Sequence, residues 1–269
     1  MLPESGRIEL KDKKFYIDLD KESYLNHLFV RHVAKEIKFV EVDFKYSIFD
    51  TCYFRDCLFD TCDFTGCRFV STNFHGSKFS GCKFNYAVFE RTNIESDILD
   101  TECPGPDNLK LRFARSLRTN YQQIGDANAA NKAVNVELQA SKEHKKKTWN
   151  SNESYYRKKY KGFTRARAFL DWVSFTALDF LWGNGESALK LLRSMVLVLI
   201  SMSIIDTVGY RDPSRLASYF HSLVLAPQIF LGAVTPTYYP GLYLSLIMAV
   251  RLVGFGFLVS IIIKRFNRR

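Results

Sequence analysis

Six cysteines are the first residues able to do chemistry: Cys52, Cys57, Cys62, Cys67, Cys82 and Cys103. Six thiols can close disulfides or hold a metal. Their spacing argues for neither. The first four fall five residues apart, Cys82 keeps that register, and only Cys103 leaves it. No Cys-x-x-Cys occurs, and no histidine stands at the spacing of a metal ligand. No Ser-His-Asp grouping or phosphate loop is present, and Gly-Asn-Gly-Glu-Ser at 183–187 lacks nucleotide-loop spacing. The expectation is a protein that is not an enzyme, with no catalytic residues, no metal and no cofactor.

Charges in unusual places are the second kind of chemistry. Arg251 lies mid-way along an apolar run, and Asp206 lies near the end of another. A central Arg in a membrane costs about 2.5–3.5 kcal/mol even on the mild insertion scale. It must face a partner or water. In a symmetric oligomer it forms a ring that favours anions or gates by charge. The alternative is a structural pair with Asp206 or with backbone carbonyls. Gly254 and Gly256 on the same run offer a hinge or close helix packing.

The third kind is basic. Residues 142–167 hold 10 Lys/Arg and 2 Glu, including Lys145, Lys146, Lys147, Arg157, Lys158, Lys159 and Lys161. Trp149, Tyr155, Tyr156 and Tyr160 interleave with them. Such a run suits nucleic acid, but it directly precedes membrane-like segments. There it meets anionic headgroups at about 1 kcal/mol per charge. Membrane lipid is therefore the expected partner, and nucleic acid is not. The formal charge of +10 on 269 residues is concentrated here.

These residues need elements to position them. Phe39, Phe44, Phe49, Phe54, Phe59, Phe64, Phe69, Phe74, Phe79, Phe84 and Phe89 put 11 of the 23 phenylalanines in one five-residue register. Ile94 and Leu99 continue it, and small residues, the cysteines among them, lie two positions earlier. Five matches neither helix nor strand periodicity. It fits a chain that turns a corner every five residues, with one large and one small residue inside. The pattern resembles the pentapeptide-repeat family over residues 37–101. The resemblance implies a right-handed, four-sided β-helix of about three coils. The cysteines are then small buried hydrophobes, Cys62 and Cys82 stack on one face, and free thiols point to a reducing compartment. Some relatives mimic DNA against a topoisomerase; residues 37–101, with 7 Lys/Arg and 10 Asp/Glu, are too short and weakly acidic for that.

Column ends need covers. Residues 21–35 read as a short amphipathic helix over the first coil, with His27 and His32 as packing or surface residues. Pro104-Gly105-Pro106 ends the column. Leu109, Phe113, Leu117, Tyr121 and Ile124 then recur at helical spacing. Tyr121, Gly125, Asp126 and Ala130 resemble the bend of tetratricopeptide-like hairpins. Residues 163–182, rich in Trp and Phe, suit a helix lying in a membrane interface.

Leu189–Val208 and Leu242–Ile263 are long enough to cross a bilayer. Lys190 and Arg193 precede the first, and Lys264, Arg265, Arg268 and Arg269 follow the second. The positive-inside rule then puts both termini in the cytoplasm. Tyr219–Gly232 between them is apolar but too short to span. The order of span, re-entrant helix and span resembles the two-transmembrane pore module of bacterial potassium-channel-like proteins, as does the 180–187 stretch before it. The filter-like residues are Phe230, Leu231, Gly232, Ala233, Val234 and Thr235. Val234 and Thr235 stand where a potassium filter has Gly and Asp, so potassium selectivity is not expected. Pro227 is expected to interrupt the short helix.

The whole reads as a multidomain membrane protein: a right-handed quadrilateral β-helix, an α-helical connector, and two transmembrane helices with a re-entrant segment. Its expected parts are an N-terminal cap (1–36), the β-helix (37–103), a helical hairpin (107–148), a basic interfacial segment (149–188) and a pore-like module (189–269). The implied function is an oligomeric ion-channel-like protein of the bacterial inner membrane, fourfold by resemblance alone, with a cytoplasmic repeat domain for sensing, assembly or a protein partner. An effector that depolarises the membrane, as in antiviral defence, is one variant. The alternative is a membrane-tethered scaffold without conductance.

Overall fold

The computed structural model describes residues 6–266. The chain divides into two compact units, Met1–Phe169 and Leu170–Arg269. Arg268, Arg269 and the first five residues of the expected cap lie outside the described residues.

The first unit opens with a β-solenoid. Its five-stranded face stacks β1 (Ile8–Lys11), β3 (His27–Val30), β6 (Ile48–Asp50), β9 (Arg68–Val70) and β11 (Val88–Glu90). A second face stacks β2 (Leu19–Asp20), β5 (Lys38–Val40), β8 (Leu58–Asp60) and β10 (Lys78–Ser80). A third pairs β4 (Val33–Lys35) with β7 (Tyr53–Arg55), and single bridges such as Asp43 to Asp63 make the fourth. All pairings are parallel, with partners such as Phe39 and Phe59 20 residues apart. The solenoid makes about four turns.

Two expectations need correction here. The column has about four turns rather than three, and residues 21–35 are not a helix. They contain β3 and β4, and Tyr24, Phe29 and Ala34 keep the five-residue register. The first coil is one residue short: Ile8 pairs with His27, 19 residues on, whereas Leu19 pairs with Phe39, 20 on. That missing residue breaks the register before Leu19. It hides the start of the first coil, before Leu19, from a search for strict fives; residues 21–35 keep the register, but with Tyr24 and Ala34 in place of phenylalanine, and Leu25, Leu28, Phe29 and Ala34 pass for an amphipathic stripe.

The corners explain the period. Glu41, Tyr46, Thr51, Asp56 and Thr61 all have positive φ, between 52° and 60°. A side chain in that conformation costs roughly 1–2 kcal/mol. Burial offsets it: the phenylalanines from Phe39 to Phe74 are at most 1% exposed, and each contributes about 1.5–3 kcal/mol. Rings one coil apart stack nearly parallel, Phe39 on Phe59 at 4.7 Å and 7°, Phe29 on Phe49 at 4.8 Å and 8°. Gly66 takes a corner for a second reason, since a Cβ there would lie 2.6 Å from the Tyr46 ring.

The last coil is closed by helices. α1 (Ile98–Thr101) is followed by α2 (Asp107–Ile124), which lays Phe113 against Phe84 and Phe89 at 5.8 and 6.0 Å. The polar side of that contact replaces a missing coil. Ser116 Oγ accepts from Phe89 N at 2.9 Å, Asn120 Oδ1 from Thr92 N at 2.7 Å, and Gln123 Oε1 from Arg91 N at 3.0 Å. One helical stripe thus satisfies a strand edge that would otherwise be open. Gly125, left-handed, ends α2, and the Asp126 side chain caps α3 (Ala127–Asn150) by accepting from Ala129 N. α4 (Ser154–Lys159) and the start of α5 (Phe163–Trp182) follow.

The second unit holds the rest of α5, a 3-10 turn at Gly183–Gly185, α6 (Ala188–Tyr210), α7 (Leu216–Leu231) and α8 (Gly241–Phe266). By length and composition α6 and α8 can cross a membrane. Pro227 does not interrupt α7, which runs through it.

Candidate functional site

The cysteines do not form a site. All six are free, and five are buried. Each buried thiol in the column takes a structural hydrogen bond: Cys52 Sγ donates to Phe29 O at 3.4 Å, Cys62 to Phe39 O at 3.3 Å, and Cys67 to Phe44 O at 2.9 Å. Thr72, Ser77 and Thr92 make the same bond to Phe49, Phe54 and Phe69. Where the position holds a donor, cysteine, serine and threonine serve alike; Ile37, Val42 and Ala87 fill it without one, and Cys57 donates to Arg55 O. Burial pushes the Cys52 thiol up to about 12 and raises Cys57 and Cys67 as well. Such thiols are poor nucleophiles at neutral pH. Cys62 and Cys82 do stack, since Lys83 N donates to Cys62 O across one coil. No group of three or more His, Cys, Asp or Glu among the described residues is arranged to hold a metal.

His27 and His32 sit in the second coil. His32 is buried between Phe15 and Phe29, with ring centroids at 5.5 and 5.1 Å. Burial lowers its pKa.

The basic residues divide. Lys147 pairs with Asp107 at 2.5 Å, and Arg157 donates to Thr148 O. Lys146, Lys158, Lys159 and Lys161 remain exposed. Lys159 lies 5.6 and 5.7 Å from the Tyr155 and Tyr160 rings.

The second unit buries a few polar groups beside an apolar core of Met202, Ala226, Ile229, Phe230, Tyr239 and Ile247, and its exterior is largely apolar. Ser194, Ser203, Asp206, Thr207 and Ser222 are buried, while Leu189, Val196, Ile204, Val208, Phe220, Leu242 and Leu252 are exposed. Asp206 is the hub. Its Oδ2 accepts from Arg211 Nε at 2.7 Å and Ser222 Oγ at 2.7 Å. Its Oδ1 accepts from Tyr238 Oη at 3.0 Å and Tyr239 Oη at 2.9 Å. Ser222 in turn accepts from Thr207 Oγ1 at 2.9 Å. One carboxylate therefore ties the end of α6 to α7 and to the loop before α8. Sequence reasoning flagged Asp206 and missed these partners. A lone carboxylate in an apolar run demands donors, and the Tyr238-Tyr239 pair was the visible supply.

Asp206 and Arg251 are not partners. Arg251 instead lies against Gly232, where any Cβ would collide with its guanidinium. The filter-like stretch is also not an extended filter. Phe230 and Leu231 finish α7, and Gly232 is left-handed at φ 83°. Ala233 N donates to Gln228 O at 2.8 Å and Gly232 N to Ile229 O at 3.0 Å. That pair of bonds is a Schellman cap. Val234 N also reaches Gln228 O, at 3.3 Å, and Thr235 is exposed in the loop beyond. Gly254 and Gly256 leave α8 unbroken; a Cβ at Gly254 would meet Met195 at an ordinary 3.9 Å.

The two ends of this hairpin are pinned together. Lys264 near the end of α8 pairs with Glu186 before α6. Lys190 pairs with Asp179 at 2.6 Å, and Arg193 covers the Phe180 ring.

A column of parallel coils, phenylalanine-filled and turning at every fifth residue, defines the class: a β-solenoid followed by helices. Residues 37–76 and 47–85 match the family Pentapeptide repeats, in 8 copies, so the N-terminal part of this chain is a pentapeptide-repeat domain. Rfr23 from the cyanobacterium Cyanothece 51142 is 12% identical over 33% of this chain and 58% of its own, with a TM-score of 0.28. QnrB1, a plasmid-mediated fluoroquinolone resistance protein, is 18% identical over 33% of this chain and 54% of its own, with a TM-score of 0.19. A pentapeptide repeat protein of the Arabidopsis thaliana thylakoid lumen is 14% identical over 31% and 72%, with a TM-score of 0.13. The chain thus spans little more than half the length of the first two. No curated protein matches. A pentapeptide-repeat domain supports a role in protein interaction or assembly.

Proposed function

We propose that this chain is a subunit of an oligomeric membrane pore, with the repeat domain as its cytoplasmic interaction or assembly module. The observation that carries the reading is the apolar exterior of the second unit around a buried polar hub. Its carboxylate and hydroxyls are buried while leucine, isoleucine and valine face outward, the pattern that suits lipid rather than water. Between the two long helices lies a 16-residue apolar helix. At 1.5 Å per residue it is about 24 Å long, short of the roughly 30 Å hydrocarbon core. It is also anchored at a polar hub instead of running through. A simple two-span anchor has no need of such an element.

The exposed lysines between α3 and α5 are read as contacts to anionic headgroups. Both ends of the hairpin then share the cytoplasmic side, as the Lys264–Glu186 pair supports. This reading assigns no catalysis, cofactor or nucleic acid. The test is reconstitution of the purified full-length protein into liposomes loaded with a potassium-, chloride- or proton-sensitive dye. Flux that requires the protein supports the pore. Membrane-integrated protein with no flux of any ion, but with a bound protein captured through residues 6–106, supports the tethered scaffold instead.

A further inference from the structure

The pore reading leaves open which ions pass, and one contact bears on that. Arg251 lies ten residues into α8 from Gly241, roughly 15 Å along the helix. Its guanidinium packs on Gly232, the left-handed residue that ends α7. We propose, on the basis of the pore reading, that the permeant ions are anions and that Arg251 is the residue that selects them.

The C-terminus of a helix carries about −0.5 of an elementary charge on its unpaired carbonyls. At α7 this end is already partly neutralised, because the carbonyls of Gln228 and Ile229 are taken by the Schellman bonds. A full positive charge set on that terminus reverses its sign. Nothing nearby cancels it. Between residues 194 and 263 the other formal charges are Asp206, Arg211, Asp212 and Arg215. Asp206 pairs with Arg211 at 2.7 Å and Asp212 with Arg215 at 3.1 Å. Arg251 makes no ion pair among the described residues and is partly exposed. The apolar part of the hairpin thus holds one uncompensated charge, and it is positive.

Gly232 serves the same end. With a side chain there, the guanidinium loses its seat against the helix terminus. Placed in a constriction with low-dielectric walls, a fixed positive charge concentrates anions and excludes cations, by tenfold or more in comparable focused fields. Arginine keeps that charge at any pH the protein survives. The class of permeant is therefore small anions, with chloride as the probe.

The experiment measures reversal potential in planar bilayers of phosphatidylcholine under a potassium chloride gradient, using the full-length protein. Neutral lipid removes the surface potential that the lysines near α4 would otherwise sense. The wild type is expected to reverse near the chloride equilibrium potential, with chloride favoured over potassium by roughly tenfold or more. Arg251→Lys should remain anion-selective. Arg251→Gln should bring the reversal potential toward zero.

A wild-type current that reverses near the potassium potential overturns the anion assignment and leaves the pore standing. Anion selectivity unchanged in folded Arg251→Gln overturns the role of Arg251. Should that variant fail to fold, Gly232→Ala provides the second reading: displaced guanidinium predicts reduced selectivity, and full selectivity counts against the proposal. Absence of any wild-type current in membrane-integrated protein overturns the pore itself, and the inference with it.

Discussion

At the residue scale, the column interior follows two rules that separate cleanly under mutation. The phenylalanine supplies burial, and where the residue two positions earlier is Cys62, Cys67, Thr72 or Ser77 it supplies a donor to the coil before it. Phe54→Ala should therefore cost about 3–5 kcal/mol, the range for large-to-small change in a packed core. Cys62→Ser keeps the donor to Phe39 O and should cost less than about 1.5 kcal/mol. Denaturant titration of the full-length protein in detergent compares the two. If both cost the same, the donor rule fails. His32 gives a pH signature. Its folded-state pKa lies below 6.5 because burial opposes the charged ring. The unfolded chain takes the proton first as pH falls. The neutral ring's stabilisation is thus complete above about pH 6.5 and declines below it until the folded pKa is reached. The slope of midpoint against pH between 7 and 5 should flatten in His32→Gln.

At the element scale, α2 is the end wall of the solenoid and α7 is the keystone of the hairpin. Asn120 is fully buried and both accepts from Thr92 N and donates to Thr92 O. Asn120→Ala leaves both backbone groups without partners, at about 1–3 kcal/mol each. Hydrogen exchange should show faster loss at Thr92 and Phe89 than at Phe49, which is three strands away from the wall in the chain order of the sheet. Uniform loosening along the whole column would contradict a local capping role. In the hairpin, Asp206→Ala strands Arg211, Ser222, Tyr238 and Tyr239 together. Removing one member of a buried charged pair costs about 3–5 kcal/mol. A thermal melt in detergent should fall accordingly, while Asp212→Ala, on a pair that is exposed on both sides, should change it little.

At the scale of the whole molecule, the two units present opposite surfaces. The solenoid buries its aromatic rings and shows charge outside; the hairpin buries its polar groups and shows aliphatic side chains outside. On the proposed membrane reading, the second surface faces hydrocarbon. The full-length protein should therefore stay with membranes through alkaline carbonate and leave them only with detergent. Release by high salt would mean that the basic segment alone holds it, and the hairpin reading would fail. Alkylation offers a second global check. The raised thiols of Cys52, Cys57 and Cys67 should stay unmodified by iodoacetamide near neutral pH and react only on unfolding.

Much of this was open to view in the residues alone. A phenylalanine every five positions admits one kind of chain path, because only a corner at that interval returns each ring to the interior. The bend at Gly125-Asp126 and the two long apolar runs were equally plain, since local composition enforces them. The first coil was not, because one missing residue shifts its register and only pairing with the next coil restores it. Nor was the fate of the charges in the apolar runs. Asp206 and Arg251 looked like partners for each other by sign, yet the fold gives Asp206 an arginine, a serine and two tyrosines, and gives Arg251 the end of a helix. Sign alone does not choose a partner; distance in three dimensions does, and that is set by how α6, α7 and α8 pack.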